Sequence, residues 1–346
     1  MADGDSAAGS ADAEDLSLPR RGWWESESWH YRGVMTNQNA RSAESVAKNA
    51  APGRTSTINT DDLIEWFAAD ARDLPWRGPE VDGWGVLVSE TMLQQTPVAR
   101  VMPIWREWMA RWPKPSDLAA TSQAEVLRAW GKLGYPRRAM RLHEAASAIA
   151  SEHDDTVPSD VDTLLALPGV GTYTARAVAA FAYGKRAPVV DTNVRRVVAR
   201  AVHGEGDAGN PSPNRDLADV DALLPSDDRD AARLSAALME LGQTVCTVKS
   251  PGCEICPIVA DCAWQHAGRP AYAGPPKKVQ RFAGTDRQVR GLLLDVLRRS
   301  EGPVQRPELD AVWHDAAQRD RALDSLLVDG LLEQTEDGRF GLPGEE

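Results

Sequence analysis

Apolar residues recur at helical spacing on both sides of a glycine-rich bend near the middle of the chain. Before the bend, in SDVDTLLA, apolar positions such as Val161 and Leu164 share one face of a short helix, with Ser159 as its predicted N-cap. After the bend, residues 172–183 combine alanines with a few larger apolar side chains, which is typical of a tightly packed helix. The pattern therefore predicts a helix, a tight hairpin and a second helix.

The bend itself, LPGVGT, contains two glycines, which can adopt positive φ and leave no side chain in the way of an incoming group. At Gly169 and Gly171, consecutive backbone N–H groups can point outward where the second helix begins. An anion, most naturally a phosphate, fits such a position. The alternative is a plain connection between two helices, and the bend alone does not decide between them.

The rest of the pattern divides the chain into four segments. Residues 1–56 are rich in Ala, Ser, Asp, Gly and Asn without sustained periodicity, so we expect a disordered tail. Helical periodicity runs over 57–266, and Pro, Gly and basic residues then predict a linker over 267–284. Residues 285–343 show helical spacing followed by a hairpin turn at Asp337 and the glycine after it, which predicts a small winged-helix-like module.

Length, charge and the lack of long apolar runs limit the possible binding partners and the cellular location. The 346 residues carry a net charge of -12, which argues against bulk coating of nucleic acid but not against a local site made of N–H groups and a few arginines. No apolar run approaches the roughly 18 residues of a membrane span, and the N-terminus shows no basic-then-apolar signal pattern. We therefore expect a cytoplasmic protein without membrane contact.

All four cysteines lie in one block, CTVKSPGCEICPIVADC, at Cys246, Cys253, Cys256 and Cys262. Disulfides are not expected in a cytoplasmic protein, so four thiolates on zinc or on an iron–sulfur cluster are the two hypotheses. Spacing alone leaves both open, although a single block differs from the paired C-x2-C knuckles usual for zinc.

Seven stretches carry a longer pattern across residues 57–266. They are RDLPWR (72–77), SETMLQQT (89–96), KLGYPRRAMRLH (132–143), LPGVGTYTA (167–175), VVDTNVRRV (189–197), ALMELG (237–242) and the cysteine block. Together they resemble the helix-hairpin-helix DNA glycosylases, and among these the MutY-type adenine DNA glycosylases.

The resemblance implies an all-α glycosylase core. A six-helix barrel domain would span 83–188, and a second domain would combine 57–82 with 189–266, where the four cysteines hold a 4Fe-4S cluster. The hairpin at Gly169, Val170 and Gly171 would grip the DNA backbone. The implied partner is double-stranded DNA that contains a mispaired adenine, and we expect the chain to act as a monomer.

Release of adenine needs an acid for the purine and an anion near the sugar, which develops oxocarbenium character. By the resemblance, Glu90 is the general acid and Asp191 the catalytic carboxylate, with Asn193 close to the same centre. The apolar surroundings of Glu90 in GWGVLVSETML would raise its pKa toward neutrality. Asp191 also has the position of a helix N-cap, which would keep the carboxylate ionised.

Tyr173 stands where related lyase-type glycosylases carry a lysine that attacks the sugar. A phenol cannot form the Schiff base that leads to strand cleavage. The resemblance therefore implies a monofunctional enzyme that removes the base with water, in which Tyr173 positions the aspartate or the water.

An enzyme that acts on a base inside a duplex must first extrude it, which requires a pocket and side chains that fill the vacated stack. Two residues match the family's stack-filling positions, Gln95 and Tyr135, although Pro136 departs from the usual tyrosine pair. Tyr135 alone would also suit an ordinary surface, and Trp76 an ordinary core. The residues that match the adenine pocket are Arg72, Trp76, Arg77 and Glu240.

Two other functions compete with this one. A mismatch thymine DNA glycosylase would share the tyrosine, the aspartate and the cysteines, but SETMLQQT favours adenine because it supplies a purine-protonating acid and the stack-filling glutamine. A non-catalytic iron–sulfur DNA-binding protein would have no use for both carboxylates. The C-terminal segment has no Phe-Ser-His signature and too few strands for a Nudix-like domain, so we expect the core alone to recognise the mispair.

Overall fold

The computed structural model describes residues 58–275 and 282–345. The predicted all-α class is confirmed, since the only strands in these ranges form one short hairpin. The helices are α1 (Thr60–Asp70), α2 (Gly83–Leu93), α3 (Val98–Arg111), α4 (Pro115–Ala119), α5 (Gln123–Trp130), α6 (Arg137–Glu152), α7 (Val161–Ala166), α8 (Thr172–Tyr183), α9 (Thr192–Ala201), α10 (Pro213–Asp221), α11 (Asp228–Thr244), α12 (Ala263–His266), α13 (Asp286–Arg299), α14 (Arg306–Asp310) and α15 (Ala316–Val328), and the strands are β1 (Glu333–Gln334) and β2 (Phe340–Gly341).

The first of two apolar cores is formed by α2 to α8 and is rich in tryptophan. Trp84, Trp108 and Trp130 are almost completely buried. The Trp108 ring makes edge-on contacts with Trp112 and Trp130, with centroids 4.8 and 5.6 Å apart. Each buried indole N–H donates to a backbone carbonyl; that of Trp84, for example, donates to the Trp112 carbonyl at 3.0 Å. Large rings thus fill the core without leaving a polar group unpaired.

The second core joins α1 to α9 and α11, and includes Leu63 and Phe67 from α1 and Leu234 and Leu238 from α11. Segments from the two ends of the glycosylase-like region meet here, because α1 packs along α11. The first core also takes in Leu74 and Trp76 from the segment before α2, and the predicted domain boundaries stay predictions. A cleft lies where the two cores meet.

The predicted helix-hairpin-helix unit is present as α7 and α8. The prediction of Ser159 as the N-cap of α7 is wrong. The helix begins at Val161, and the carboxylate of Asp160 caps it by accepting from the Thr163 N–H at 2.8 Å. Within the hairpin, Gly169 has φ 72°, and a Cβ there would lie 2.5 Å from the Cβ of Arg141. This glycine is therefore required both by its backbone conformation and by the approach of α6.

The C-terminal helices pack directly on the first core. Apolar residues of α13 and α15 belong to the same buried cluster as those of α5. Arg298 donates to the Leu127 carbonyl at 3.0 Å, and Arg128 donates to the Ser300 carbonyl at 2.9 Å. A hairpin turn joins β1 and β2, as predicted, but it is longer than the predicted two-residue turn at Asp337 and Gly338: Gln334 pairs with Phe340, and the Gly338 N–H donates to the Thr335 carbonyl at 2.9 Å. The winged-helix-like assignment stays a prediction.

Parts of two predictions lie outside the described residues, namely the disordered tail over 1–56 and the section 276–281 of the linker. Among the residues that the structure covers, no helix has both the length and the apolar character that a bilayer crossing needs.

Candidate active site

A cleft of about 980 Å³ opens between the two cores. It is as large as the pockets that hold drug-sized ligands, and charged and aromatic side chains line it. The residues predicted for catalysis and for the adenine pocket, together with Gln95, all line this one cleft: Glu90, Tyr173, Asp191, Asn193, Arg72, Trp76, Arg77 and Glu240. Positions that are up to 168 residues apart in the chain are thus brought together.

Glu90 lies in α2, a helix buried on nearly all sides, and is only 5% exposed. The Tyr173 hydroxyl donates a hydrogen bond to Oε2 of Glu90 at 2.8 Å. Burial raises the pKa of Glu90 to about 7, and the charge of Asp191 acts in the same direction, while the Tyr173 hydrogen bond and Arg77 oppose it. A proton is therefore available on Glu90 near neutral pH, as its apolar surroundings predicted.

Asp191 is the N-cap of α9, as predicted. One carboxylate oxygen accepts from the N–H groups of Asn193 and Val194 at 2.8 and 2.7 Å. The other accepts from the side-chain amide of Asn193 at 2.6 Å. Burial raises the pKa of Asp191, and these three donors and Arg196 oppose that shift. Burial outweighs these donors, so the net pKa shift is upward, while the cap fixes the orientation of the carboxylate; the structural role is compatible with a catalytic one.

Asn193 is held from two sides. Its side-chain oxygen accepts from Arg196 at 2.9 Å while its NH2 group donates to Asp191. Helix α11 lies so close that a Cβ at Gly242 would be 2.8 Å from the Asn193 backbone oxygen. The absence of a side chain at Gly242 therefore allows α9 and α11 to approach and to fix the orientation of this carboxylate.

Tyr173 is a neutral donor. Burial raises its pKa well above 10, and the negative charges of Glu90 and Asp191 raise it further. Its oxygen also lies 3.9 Å from the sulfur of Met239 on α11. The hydroxyl is therefore oriented by a carboxyl group and bears no charge of its own.

Glu240 binds two arginines that line the cleft with it. Arg72 forms a two-point pair with its carboxylate at 2.5 and 2.8 Å, and Arg77 donates to it at 3.0 Å. Burial alone would raise the pKa of Glu240, but the hydrogen bonds and charges of the two arginines outweigh burial and lower it. Trp76 lies edge-on to Trp105 with centroids 5.9 Å apart, and is both a core residue and part of the cleft wall.

The two predicted stack-filling residues share an unusual backbone conformation. Gln95 and Tyr135 are exposed and have φ values of 57° and 49°, in the left-handed region that non-glycine residues seldom adopt. Gln95 is at the mouth of the cleft, whereas Tyr135 lies outside the cleft lining. Such conformations concentrate at functional sites because the surrounding contacts impose them.

Arg138, which sequence reasoning missed, contacts the segments on both sides. Its guanidinium donates to the carbonyls of Thr91 and Met92 at the end of α2 and to the Gly134 carbonyl. It also donates to the Thr96 hydroxyl at 3.0 Å. Arg138 thus joins the loop that carries Gln95 to the loop that carries Tyr135. No local pattern distinguishes it from the arginine before it, so only the three-dimensional contact identifies it.

The predicted phosphate-binding hairpin lies outside the cleft lining. Val170 is buried in the first core, and its N–H donates to the Leu167 carbonyl at 3.2 Å. Gly171 precedes α8, which has no side-chain N-cap. The N–H groups that begin α8 are therefore the ones left for an anion, and Val170 contributes packing instead.

The four cysteines line one small cavity with Arg200 and Trp264. Arg200 donates to the sulfur of Cys246 at 3.3 Å. Burial raises the pKa of Cys256 to about 11, and the neighbouring cysteines act in the same direction. Within 58–275 and 282–345, no three Cys, His, Asp or Glu side chains converge closely enough to hold a single metal ion. The four side chains thus lie around one cavity, and sulfur donors of this kind bind either zinc or an iron–sulfur cluster.

The comparisons with known proteins first give the class. Residues 88–213 match the model of the HhH-GPD superfamily of base excision DNA repair proteins. A solved structure of a thermostable thymine-DNA glycosylase shares the fold with a TM-score of 0.53 and 26% identity, and the match covers 60% of this chain and 95% of that one.

Closer relatives then define the family. The adenine DNA glycosylase of Mycobacterium tuberculosis is 63% identical over 289 residues, which cover 83% of this chain and 94% of that protein. The adenine DNA glycosylase of Mycolicibacterium smegmatis is 65% identical over 290 residues, which cover 84% and 97%. The chain belongs to the adenine DNA glycosylases of the HhH-GPD superfamily, and the resemblance noted in its sequence is confirmed.

The raised pKa of Glu90 predicts a pH-dependent cost in stability. In the unfolded chain this carboxyl ionises near 4.5, whereas in the folded protein it holds its proton to about 7. The folded state therefore binds more protons between these values, so the free energy of unfolding should fall as the pH rises through them. We expect Glu90→Gln to remove this loss and to stabilise the protein above pH 7, by up to about 3 kcal/mol.

Urea unfolding near pH 5 and pH 8 measures this effect. Glu107→Gln, which changes an exposed carboxyl on α3, is the matched control and should leave the pH dependence as in the wild type. An equal loss of stability with pH in the wild type and Glu90→Gln would contradict the assignment.

Proposed function

We propose that the protein hydrolyses the N-glycosidic bond of adenine mispaired with 8-oxoguanine or guanine in double-stranded DNA, and leaves the strand intact. The observation that carries the proposal is the pair of carboxyl groups in one cleft. Glu90 holds a proton near neutral pH beside a tyrosine hydroxyl, while Asp191 is held by three hydrogen-bond donors.

The two carboxyl groups divide the chemistry between them. Glu90 in its protonated form would donate to a ring nitrogen of adenine, which makes the purine a better leaving group. Asp191 in its ionised form would stabilise the positive charge that develops on the sugar. Glu90, once deprotonated, would accept a proton from the attacking water. The pKa of about 7 at Glu90 suits both transfers.

The cleft lining supports a monofunctional reaction. No lysine lines the cleft in the described part of the chain, and Tyr173, which donates to Glu90, is one of the lining residues. Without an amine there is no group to form a Schiff base with the sugar. Water is then the nucleophile, and the product is an abasic site.

Removal of a mismatched thymine is the competing hypothesis. The thymine-DNA glycosylase that shares the fold is 26% identical to this chain, whereas the adenine-specific relatives are 63% and 65% identical. A proton on Glu90 also favours adenine, because the purine ring offers basic nitrogens. Duplexes that pair adenine or thymine with 8-oxoguanine or guanine separate the hypotheses by the base that is released. Release of thymine instead of adenine would overturn the proposal.

The four cysteines are proposed to hold a 4Fe-4S cluster, which in this position serves as a structural group. Cys246, Cys253, Cys256 and Cys262 line one cavity, and Arg200 is placed to offset the negative charge of such a cluster. The cavity lies next to the second core, so a bound cluster would tie the cysteine block to α9 and α11.

Substitution of either carboxyl group should abolish excision and preserve DNA binding. We expect Asp191→Asn and Glu90→Gln each to lower the single-turnover rate by at least about a thousandfold, because each loses several kcal/mol of transition-state stabilisation. The wild-type rate should fall as the pH rises above about 7, as Glu90 loses its proton. A near-normal rate in either variant, with binding intact, would contradict its role.

Treatment with borohydride during the reaction should trap no covalent protein–DNA adduct. The reason is the lack of an amine in the cleft, and the measurement is denaturing electrophoresis of labelled DNA. Introducing the amine by Tyr173→Lys provides a positive control for trapping. A trapped species with the wild-type protein would require a lysine that enters from elsewhere.

The purified protein should be brown and contain about four irons and four sulfides per chain, measured by metal and sulfide analysis. Substitution of Cys256 by serine should reduce the iron content and the thermal stability together. An active, colourless protein with one zinc per chain would overturn the cluster.

A further inference from the structure

The C-terminal module places a guanidinium beside the loop that carries Tyr135. Arg287, near the start of α13, donates to the hydroxyl of Tyr135 at 3.0 Å. Its planar group also lies 6.0 Å from the centre of the Tyr135 ring and 5.2 Å from that of Phe282. The Tyr135 loop is joined to the mouth of the cleft by Thr96, whose hydroxyl donates to the Leu133 carbonyl. Arg287 therefore lies on the same face of the protein as the Tyr135 loop and Thr96 at the cleft.

Arg287 differs from the other arginines of α13. Arg290 pairs with Asp329 at 2.6 Å, Arg299 pairs with Asp295 at 2.6 Å, and Arg298 donates to the core. For Arg287 the structure gives no ion pair among the described residues. The carboxylate next to it, Asp286, accepts instead from Gln318 of α15. Arg287 is thus an exposed cation with one of its five N–H donors in use.

The position of this cation is fixed by the core. The apolar face of α13 lies in the cluster shared with α5, and Arg298 is buried deeply enough that its pKa falls to about 10. Lys132, in the loop before Tyr135, pairs with Asp295 of α13 at 3.3 Å. The module is therefore held against the core both by the apolar face of α13 and by the Lys132–Asp295 pair, and these contacts fix the position of Arg287.

We propose that Arg287 binds a DNA backbone phosphate beside Tyr135, so that the C-terminal module forms part of the DNA-binding surface. A guanidinium supported by two aromatic rings keeps its remaining donors pointed outward as a planar fork, which matches the oxygens of a phosphate. The Tyr135 hydroxyl serves as the anchor that orients the fork. This inference rests on the proposed function only in that the cleft acts on DNA; it concerns the DNA backbone and leaves the recognition of the mispaired base to the core.

The salt dependence of DNA binding tests the contact. The probe is a duplex with a tetrahydrofuran abasic analogue, which a glycosylase cannot process, and Kd is measured from about 50 to 200 mM salt. We expect Arg287→Ala to weaken binding five- to twentyfold at the lower salt and to reduce the slope of log K against log salt by about 0.9, the loss of one phosphate contact. Arg287→Lys should keep the slope and lose part of the affinity.

Two further variants make the result specific. Arg299→Ala removes the same charge from the same helix and should leave both Kd and slope unchanged. Tyr135→Phe removes only the anchoring hydroxyl and should weaken binding modestly with an unchanged slope. The inference is wrong if Arg287→Ala keeps the wild-type slope, or if Arg299→Ala lowers the slope as much. The first outcome would mean that Arg287 only holds Tyr135.

Adenine excision by the wild type, measured in parallel, separates this inference from the proposed function. If the protein releases no adenine and the slope still depends on Arg287, the substrate assignment fails and the phosphate contact stands. If adenine is released and the slope does not depend on Arg287, the contact fails and the proposed function stands.

Discussion

The burial of Glu90 is the constraint around which the site is built. A carboxyl group that is 5% exposed loses most of its hydration, and it can stay in the core only if it is protonated or paired. The structure pairs it with a neutral phenol, since the Tyr173 hydroxyl donates at 2.8 Å, and gives it no adjacent cation at salt-bridge distance among the described residues. The result is a proton that is held firmly below neutral pH and released near it.

The nearest arginine is kept away from Glu90 by a different carboxylate. Arg77 donates to Glu240 at 3.0 Å and lies over the Phe67 ring, 5.0 Å from its centre. Glu240 is itself almost fully buried and forms ion pairs with both Arg77 and Arg72. Both positive charges are therefore bound to Glu240 and not to Glu90. Had Arg77 paired with Glu90, its charge would have lowered the pKa of that group and removed the acid. The division of partners between the two glutamates therefore sets which one can donate a proton.

Much of this chemistry could be predicted from the sequence, because its causes are local. The apolar neighbours of Glu90 in α2 predicted its raised pKa, and the position of Asp191 before α9 predicted its N-cap role. Ser159 failed as an N-cap because Asp160, one residue later, competes for the same role and has the stronger acceptor. The glycines around Val170 were identified correctly. The burial of the Val170 side chain was not predicted, because it depends on where the hairpin packs.

The sequence does not single out Arg138, and it does not separate Arg287 from Arg290, Arg298 and Arg299 as a possible DNA contact, because the partners of both residues are distant in sequence. Arg138 joins carbonyls 46 and 47 positions away, and Arg287 bonds a tyrosine 152 positions away. In the sequence each is one arginine among several on a helix, and a solvated helix face accounts for all of them equally. Only the packing of α13 on α5 distinguishes Arg287 from the residues that share its helix.

The difference between paired and unpaired arginines explains how an acidic chain can bind a polyanion. The net charge of -12 counts every carboxylate, yet many of these already neutralise arginines within the fold, such as Asp216 with Arg195 and Asp329 with Arg290. The groups available to bind a phosphate are therefore the donors that have no partner within the fold. Among the described residues, two such sets of donors lie outside the cleft lining: the N–H groups that begin α8, which no side chain caps, and the guanidinium of Arg287. Since a screened charge acts over about 8 Å at physiological salt, a few such groups close to the DNA outweigh distant surface carboxylates. The affinity of this surface for DNA thus depends on which arginines the fold leaves unpaired, and the total charge of the chain says little about it.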